Sequence, residues 1–131
     1  MNLNQVTIPS RDLEKSVAFY ELMGLQLIVD SVPRYARLEC PTGDSTLSLH
    51  HADEIATGPG ITIYFECENL DQRVDDLQKL GIRFDTDPVN QRWLWREAEL
   101  SDPDGHRIVL FYGGENRKNP PWRVSAETEP K

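Results

Sequence analysis

The chain has 131 residues, a formal net charge of −8 and a pI near 4.8. That length is one domain's worth and can bury a core without staples. Acidity on this scale argues against a nucleic-acid partner or an anionic membrane surface, and no apolar run approaches the ~18 residues of a membrane span.

The first five residues carry neither a basic nor an apolar leader segment, so the expected location is cytoplasmic. Residues 3–9 read as a first strand. Asp12 is suited to cap a following helix and Gly24 to stop it. Between them Leu13, Val17 and Tyr20 fall on one apolar stripe. Three strands are predicted next, over residues 25–30, 35–40 and 46–51, with Pro41-Thr42-Gly43-Asp44 turning between the last two. Cys40 and Cys67 lie far apart with no CxxC pattern, which reads as two buried thiols in a reducing compartment.

After a linker at residues 53–59 the pattern repeats. Residues 60–67 predict a strand; Asn69, with Gln72 three residues on, predicts a helix start; Gly81 predicts its stop. Caps, stripes (Leu70, Val74, Leu77) and stops of the two helices agree at one offset of 57 residues. Leu25 and Leu27 map in the same way onto Ile82 and Phe84, predicting a strand there. This is an internal duplication of a βαβββ unit. A polar loop over 85–92 and a strand over 93–100 lead to Asp102-Pro103-Asp104-Gly105, a turn in which Pro sets φ and Gly supplies the positive φ. The run Ile108 to Tyr112 behind it is short and nearly all apolar, as expected of a strand buried on both faces.

The organisation is therefore α+β. A single domain spans 1–113, made of module one (1–52), the linker (53–59) and module two (60–113). A surface tail follows over 114–131, its end disordered. Trp122, behind two prolines, is expected to dock on the domain or on a partner copy.

Two stretches carry a resemblance. Asp12-Leu13-Glu14-Lys15-Ser16-Val17-Ala18-Phe19-Tyr20 with Gly24-Leu25, and later Asp102-Pro103-Asp104-Gly105-His106-Arg107-Ile108, resemble the glyoxalase/bleomycin-resistance/extradiol dioxygenase group, the vicinal oxygen chelate superfamily. The resemblance implies two βαβββ modules whose curled mixed sheet forms an open barrel around a ligand cavity. It implies homodimers, and an activity somewhere among lyases, isomerases, dioxygenases, transferases and drug-sequestering proteins.

Metal-dependent members hold their ion from four strand positions, which here fall on Gln5, Ser48, Thr62 and Val109. An amide oxygen can ligate a cation, but two neutral hydroxyls and a valine supply none of the imidazole, carboxylate or thiolate donors that first-row metals need. No cofactor is expected. The alternative is a divalent metal on a relocated set, Gln5, His50 and Glu66, in a lyase, isomerase or dioxygenase. His50 and Glu66 each lie two residues from a family position and so share its strand face.

The remaining cavity candidates are Tyr64, Trp95, Arg96 and Phe111, an aromatic lining with an Arg that suits a flat or anionic organic ligand. Arg37, Arg96 or His50 could serve as the polar group of a metal-free enzyme. Glu97 and Glu99 are expected on the solvent face opposite Ala98 and Leu100, and His106 at the surface where the last strand starts. The sequence reading is a small-molecule-binding protein without the usual metal triad, sequestering or converting a small organic compound.

Overall fold

The structure, a computed structural model, describes residues 1–56 and 60–124. Its elements are β1 (Gln5–Ser10), α1 (Leu13–Leu22), β2 (Gln26–Ser31), β3 (Tyr35–Glu39), β4 (Thr46–His51), β5 (Thr62–Glu66), α2 (Leu70–Lys79), β6 (Val89–Asn90), β7 (Arg96–Ser101) and β8 (Arg107–Tyr112), with a 3-10 turn at Gly114–Arg117. They form two compact units. The first comprises Met1–Ile61 and returns for Ser101–Arg107; the second comprises Thr62–Leu100 and the chain from Ile108 on.

In the first unit the sheet order is β1-β4-β3-β2. β1 runs parallel to β4, pairing Gln5 with Thr46 and Thr7 with Ser48, and the other pairs are antiparallel. Asp12 caps α1 by accepting from Lys15 N at 3.2 Å. Gly24, at φ 105°, closes it in the left-handed conformation that a side chain would resist. The stripe Leu13, Val17 and Tyr20 is buried with Ile8, Ala36, Leu38, Leu47 and Leu49. Burying each of the Leu, Ile and Val side chains here stabilises the fold by roughly 1.5–3 kcal/mol.

The second unit repeats the plan with sheet order β5-β8-β7-β6. Its helix is also ten residues long and starts and stops 57 residues after α1. Leu70, Val74 and Leu77 are buried, and Gly81 takes φ 97°. β8 lies inside the sheet, with Ile108, Val109, Leu110 and Phe111 all buried, as its unalternating sequence predicts.

Several expectations are corrected. Asn69 makes no side-chain cap bond; Gln72 donates to Asp76 instead. Ile82 and Phe84 form no strand. The edge strand comes from the polar loop, where Asp85 N donates to Glu99 O at 2.7 Å and Val89 pairs with Glu97. Trp93 and Leu94 lie in a tight turn, closed by Gln91 N to Trp95 O at 2.7 Å with Leu94 at φ 70°, so β7 starts only at Arg96. Trp122 stays 57 % exposed rather than docked on its own unit. The expected disorder of the chain end falls at 125–131, outside the described residues, as does part of the 53–59 linker. No helix among the described residues is long and apolar enough to cross a membrane.

Candidate functional site

Strand alternation gives each sheet a face turned away from its helix, and the candidate residues divide between these faces. In the first unit that face carries Gln5, Thr46, Ser48, His50, Tyr35 and Arg37. Gln5 Oε1 accepts from Thr46 Oγ1 at 2.9 Å. Ser48 is fully buried, 2.7 Å from Tyr35 Oη, and Arg37 Nε donates to the same phenol oxygen at 2.9 Å. The Ser48 hydrogen bond, aided by Arg37 against the opposing effect of burial, holds the Tyr35 hydroxyl below its ordinary pKa. Tyr35 is thus a phenol held between a buried hydroxyl and a cation.

His50 is exposed, its Nδ1 3.3 Å from His51 O. The parallel register pairs it with Pro9, while Gln5 pairs with Thr46. Four residues of strand at ~3.3 Å each therefore separate Gln5 from His50, about 13 Å. One ion cannot take both.

The second unit gathers three candidates. Trp95 stacks on Phe111 with centroids 4.5 Å apart, and Tyr64 meets both rings edge-on, at 6.0 Å and 5.6 Å. Trp95 Nε1 donates to Asn116 O at 3.1 Å, anchoring the indole to the 3-10 turn. Gly113 lies so close that a Cβ there would stand 2.9 Å from Trp95 Nε1. Thr62 is half-buried and Val109 fully buried.

Glu66 is committed to structure. Its Oε2 accepts from Gly113 N and Gly114 N, each at 3.0 Å, and Arg117 approaches Oε1 at 3.5 Å. Such a carboxylate holds the start of the tail and is engaged on both oxygens, which leaves little for a metal.

Arg96 points the other way. It grips Asp71 of α2 through Nε and Nη2, at 2.7 Å and 2.9 Å, and donates to Asn90 Oδ1 at 3.0 Å. Consecutive strand residues face opposite sides, so Trp95 and Arg96 cannot line one surface. The residue that shares the Trp95 face is Glu97. It is not solvent-facing as expected: it keeps 5 % exposure and accepts from Trp93 Nε1 at 2.7 Å. Its signal in the sequence is its place two residues after Trp95.

The metal positions do not fit an ion. The first unit offers a carboxamide already bonded to Thr46 and a hydroxyl bonded to Tyr35; the second offers a threonine and a buried valine. No group of three His, Cys, Asp or Glu among the described residues could hold a metal.

The motif residues build a separate network within the first unit. Ser16 Oγ donates to Asp104 Oδ2 at 3.0 Å, and Ser10 and Ser16 hydroxyls lie 2.7 Å apart. His106, rather than lying free at the surface, is half-buried with Nε2 2.7 Å from Pro9 O.

The model of the Glyoxalase/Bleomycin resistance protein/Dioxygenase superfamily matches residues 2–110. The uncharacterized protein YraH of Bacillus subtilis (strain 168) is 26 % identical, over 86 % of this chain and 98 % of its own. Among solved structures, a lactoylglutathione lyase from Agrobacterium tumefaciens aligns with TM-score 0.71 at 19 % identity, covering 86 % of this chain and 93 % of that one. A bleomycin-binding protein complexed with bleomycin aligns with TM-score 0.71 at 22 % identity, covering 87 % and 99 %. At such identities the structural likeness speaks to the fold.

Proposed function

This chain belongs to the glyoxalase/bleomycin resistance protein/dioxygenase superfamily, and from that membership we propose that it binds a small organic molecule on the aromatic face of the second unit, without a metal triad. One observation carries the reading: Tyr64, Trp95 and Phe111 meet on the face turned away from α2, with Tyr64 still 48 % exposed. Rings left partly open on a sheet give a flat ligand a stacking surface. The bleomycin-binding protein, similar in fold, supports a sequestering role.

Isothermal titration with bleomycin and with flat aromatic compounds tests it. At least one is expected to bind, with a tenfold or greater loss in Trp95→Ala. No binding by any compound, or binding indifferent to Trp95→Ala, overturns the reading. Elemental analysis after gel filtration in zinc- and nickel-supplemented buffer is expected to be blank.

Tyr35 favours a second reading, conversion of the ligand. A phenol held between Ser48 and Arg37 with a lowered pKa can act as a general acid or base. Product formation lost in Tyr35→Phe, with ligand affinity kept, would establish it. A cytoplasmic homodimer completes the proposal. It is supported by the two free thiols, Cys40 and Cys67, and by the exposed Trp122 as an arm for a second copy.

A further inference from the structure

The chain leaves β8 through two glycines, each fitted closely to a neighbour. A Cβ on Gly113 would stand 2.9 Å from Trp95 Nε1, and one on Gly114 would stand 2.9 Å from Tyr112 Oη. Gly114 also takes φ 53°, in the left-handed region that a side chain resists. The same pair has the widest conformational freedom to leave this arrangement.

Beyond the glycines, residues 114–123 close on themselves. Asn116 N donates to Gly113 O at 2.9 Å, Asn119 N to Glu115 O at 2.8 Å and Arg123 N to Pro120 O at 3.0 Å. Arg123 Nη1 adds bonds to Lys118 O and Asn119 Oδ1, at 3.2 Å and 2.5 Å. Gly114, Asn116 and Pro120 are half-buried and the other residues of this stretch are exposed. Apolar burial therefore does little to hold it, which is the condition for local opening without global unfolding.

Its attachment to the sheet is polar. Glu66, at the end of β5, accepts from Gly113 N and Gly114 N at 3.0 Å each and meets Arg117 Nε at 3.5 Å. Trp95 Nε1 donates to Asn116 O at 3.1 Å. The bonds to the carboxylate are charge-assisted and so the stronger ones.

We propose that residues 114–123 form a strap that swings as one piece about Gly113–Gly114, with Glu66 as its latch. Closed, it fixes the Trp95 indole by its N–H. Open, it gives up that bond and frees the indole to turn off Phe111. The strap stands whether or not the ring face takes a ligand.

Hydrogen exchange followed by NMR on the full-length protein tests it. In the parent protein Gly113 N–H, Gly114 N–H and the Trp95 indole N–H are expected to share one protection factor, roughly tenfold or more below that of the β8 core amides. Asn119 N–H, bonded within the strap, should not join them. Glu66→Ala frees the two glycine amides directly, so the Trp95 N–H, which does not touch Glu66, is the diagnostic probe. Its protection is expected to fall roughly tenfold or more while the β8 core amides keep theirs. By reciprocity, Trp95→Phe should lower the protection of Gly114 N–H. A Trp95 N–H that stays protected in Glu66→Ala overturns the strap. So does a parent protein whose three N–H groups exchange in step with the β8 core, a comparison that does not depend on any variant.

Discussion

Tyr20 Oη donates to Asp102 Oδ2 at 2.7 Å, tying α1 to a turn 82 residues later in the chain. Both residues are buried. The other oxygen of Asp102 accepts from Asp104 N and His106 N, each at 2.9 Å, which sets the turn itself. One turn further, Asp104 Oδ1 accepts from Arg11 N at 2.9 Å. The two stretches that carry the family resemblance are thus one hydrogen-bonded unit. Asp102 and Asp104 each hold several hydrogen bonds that tie this unit together.

Burial first, then the charge of Asp102, pushes the Tyr20 phenol far above its ordinary pKa, so it remains a donor at any pH the protein survives. Tyr20→Phe keeps the ring and removes the donor, leaving a buried carboxylate oxygen without its partner. A loss of about 1–3 kcal/mol is expected, read by urea unfolding. An unchanged midpoint would mean that water replaces the hydroxyl at no cost.

Asp104 gives the acid limb. Burial works to raise its carboxyl, but bonds from Arg11 N, Ser10, Ser16 and the Arg11 side chain outweigh it and hold the group below the usual range. A depressed folded value means stability that is complete above the unfolded pKa, about 3.9, and lost as pH falls through the folded one. Asp104→Asn is expected to cost about 1–2 kcal/mol at pH 7. The gap from the parent protein should close as pH falls below the unfolded value and through the lowered folded one. A gap that is constant with pH would place the effect in shape and not in charge.

The helices were legible because their signals are local. Asp12, the 3.6-residue stripes and the glycines at 24 and 81 each act within one or two turns. The aromatic face was half legible. The aromatic residues stand out in the sequence, but their pattern predicts a strand from Trp93, whereas Leu94 takes a left-handed turn and β7 starts only at Arg96. Alternation alone sets Arg96 opposite Trp95 and Glu97, and the contacts agree: Arg96 bonds Asp71 of α2, and Glu97 accepts from Trp93. The short β6 was illegible for a different reason. Its two residues, Val89 and Asn90, are exposed and too few to show a pattern, and their pairing comes from the partner strand.

Tyr35 offers a spectroscopic test of the first unit. Its hydroxyl is lowered chiefly by the Ser48 hydrogen bond, with Arg37 adding to it. A phenolate absorbance titration is expected to show one tyrosine ionising below the ordinary value of about 10. That early step should vanish in Tyr35→Phe and move upward in Ser48→Ala. If Ser48→Ala leaves the step in place, Arg37 alone sets it.

The last test uses Gly113, whose φ of −113° any residue can adopt. Its constraint is space. A Cβ would stand 2.9 Å from Trp95 Nε1 and 3.0 Å from Cδ1, and that indole is held by Asn116 O on one side and Phe111 on the other. Gly113→Ala must therefore tilt Trp95 or shift the backbone. Overpacking of this kind costs about 1–3 kcal/mol. The indole is the part able to move, so the stack on Phe111 should open. Near-ultraviolet circular dichroism is expected to lose aromatic signal, and ligand affinity to fall by tenfold or more. Secondary structure should be kept, because the 3-10 turn still receives Glu66 through the two backbone N–H groups. An alanine variant with parent-like affinity would show that the Trp95–Phe111 stack is packing alone and not the surface that the ligand meets.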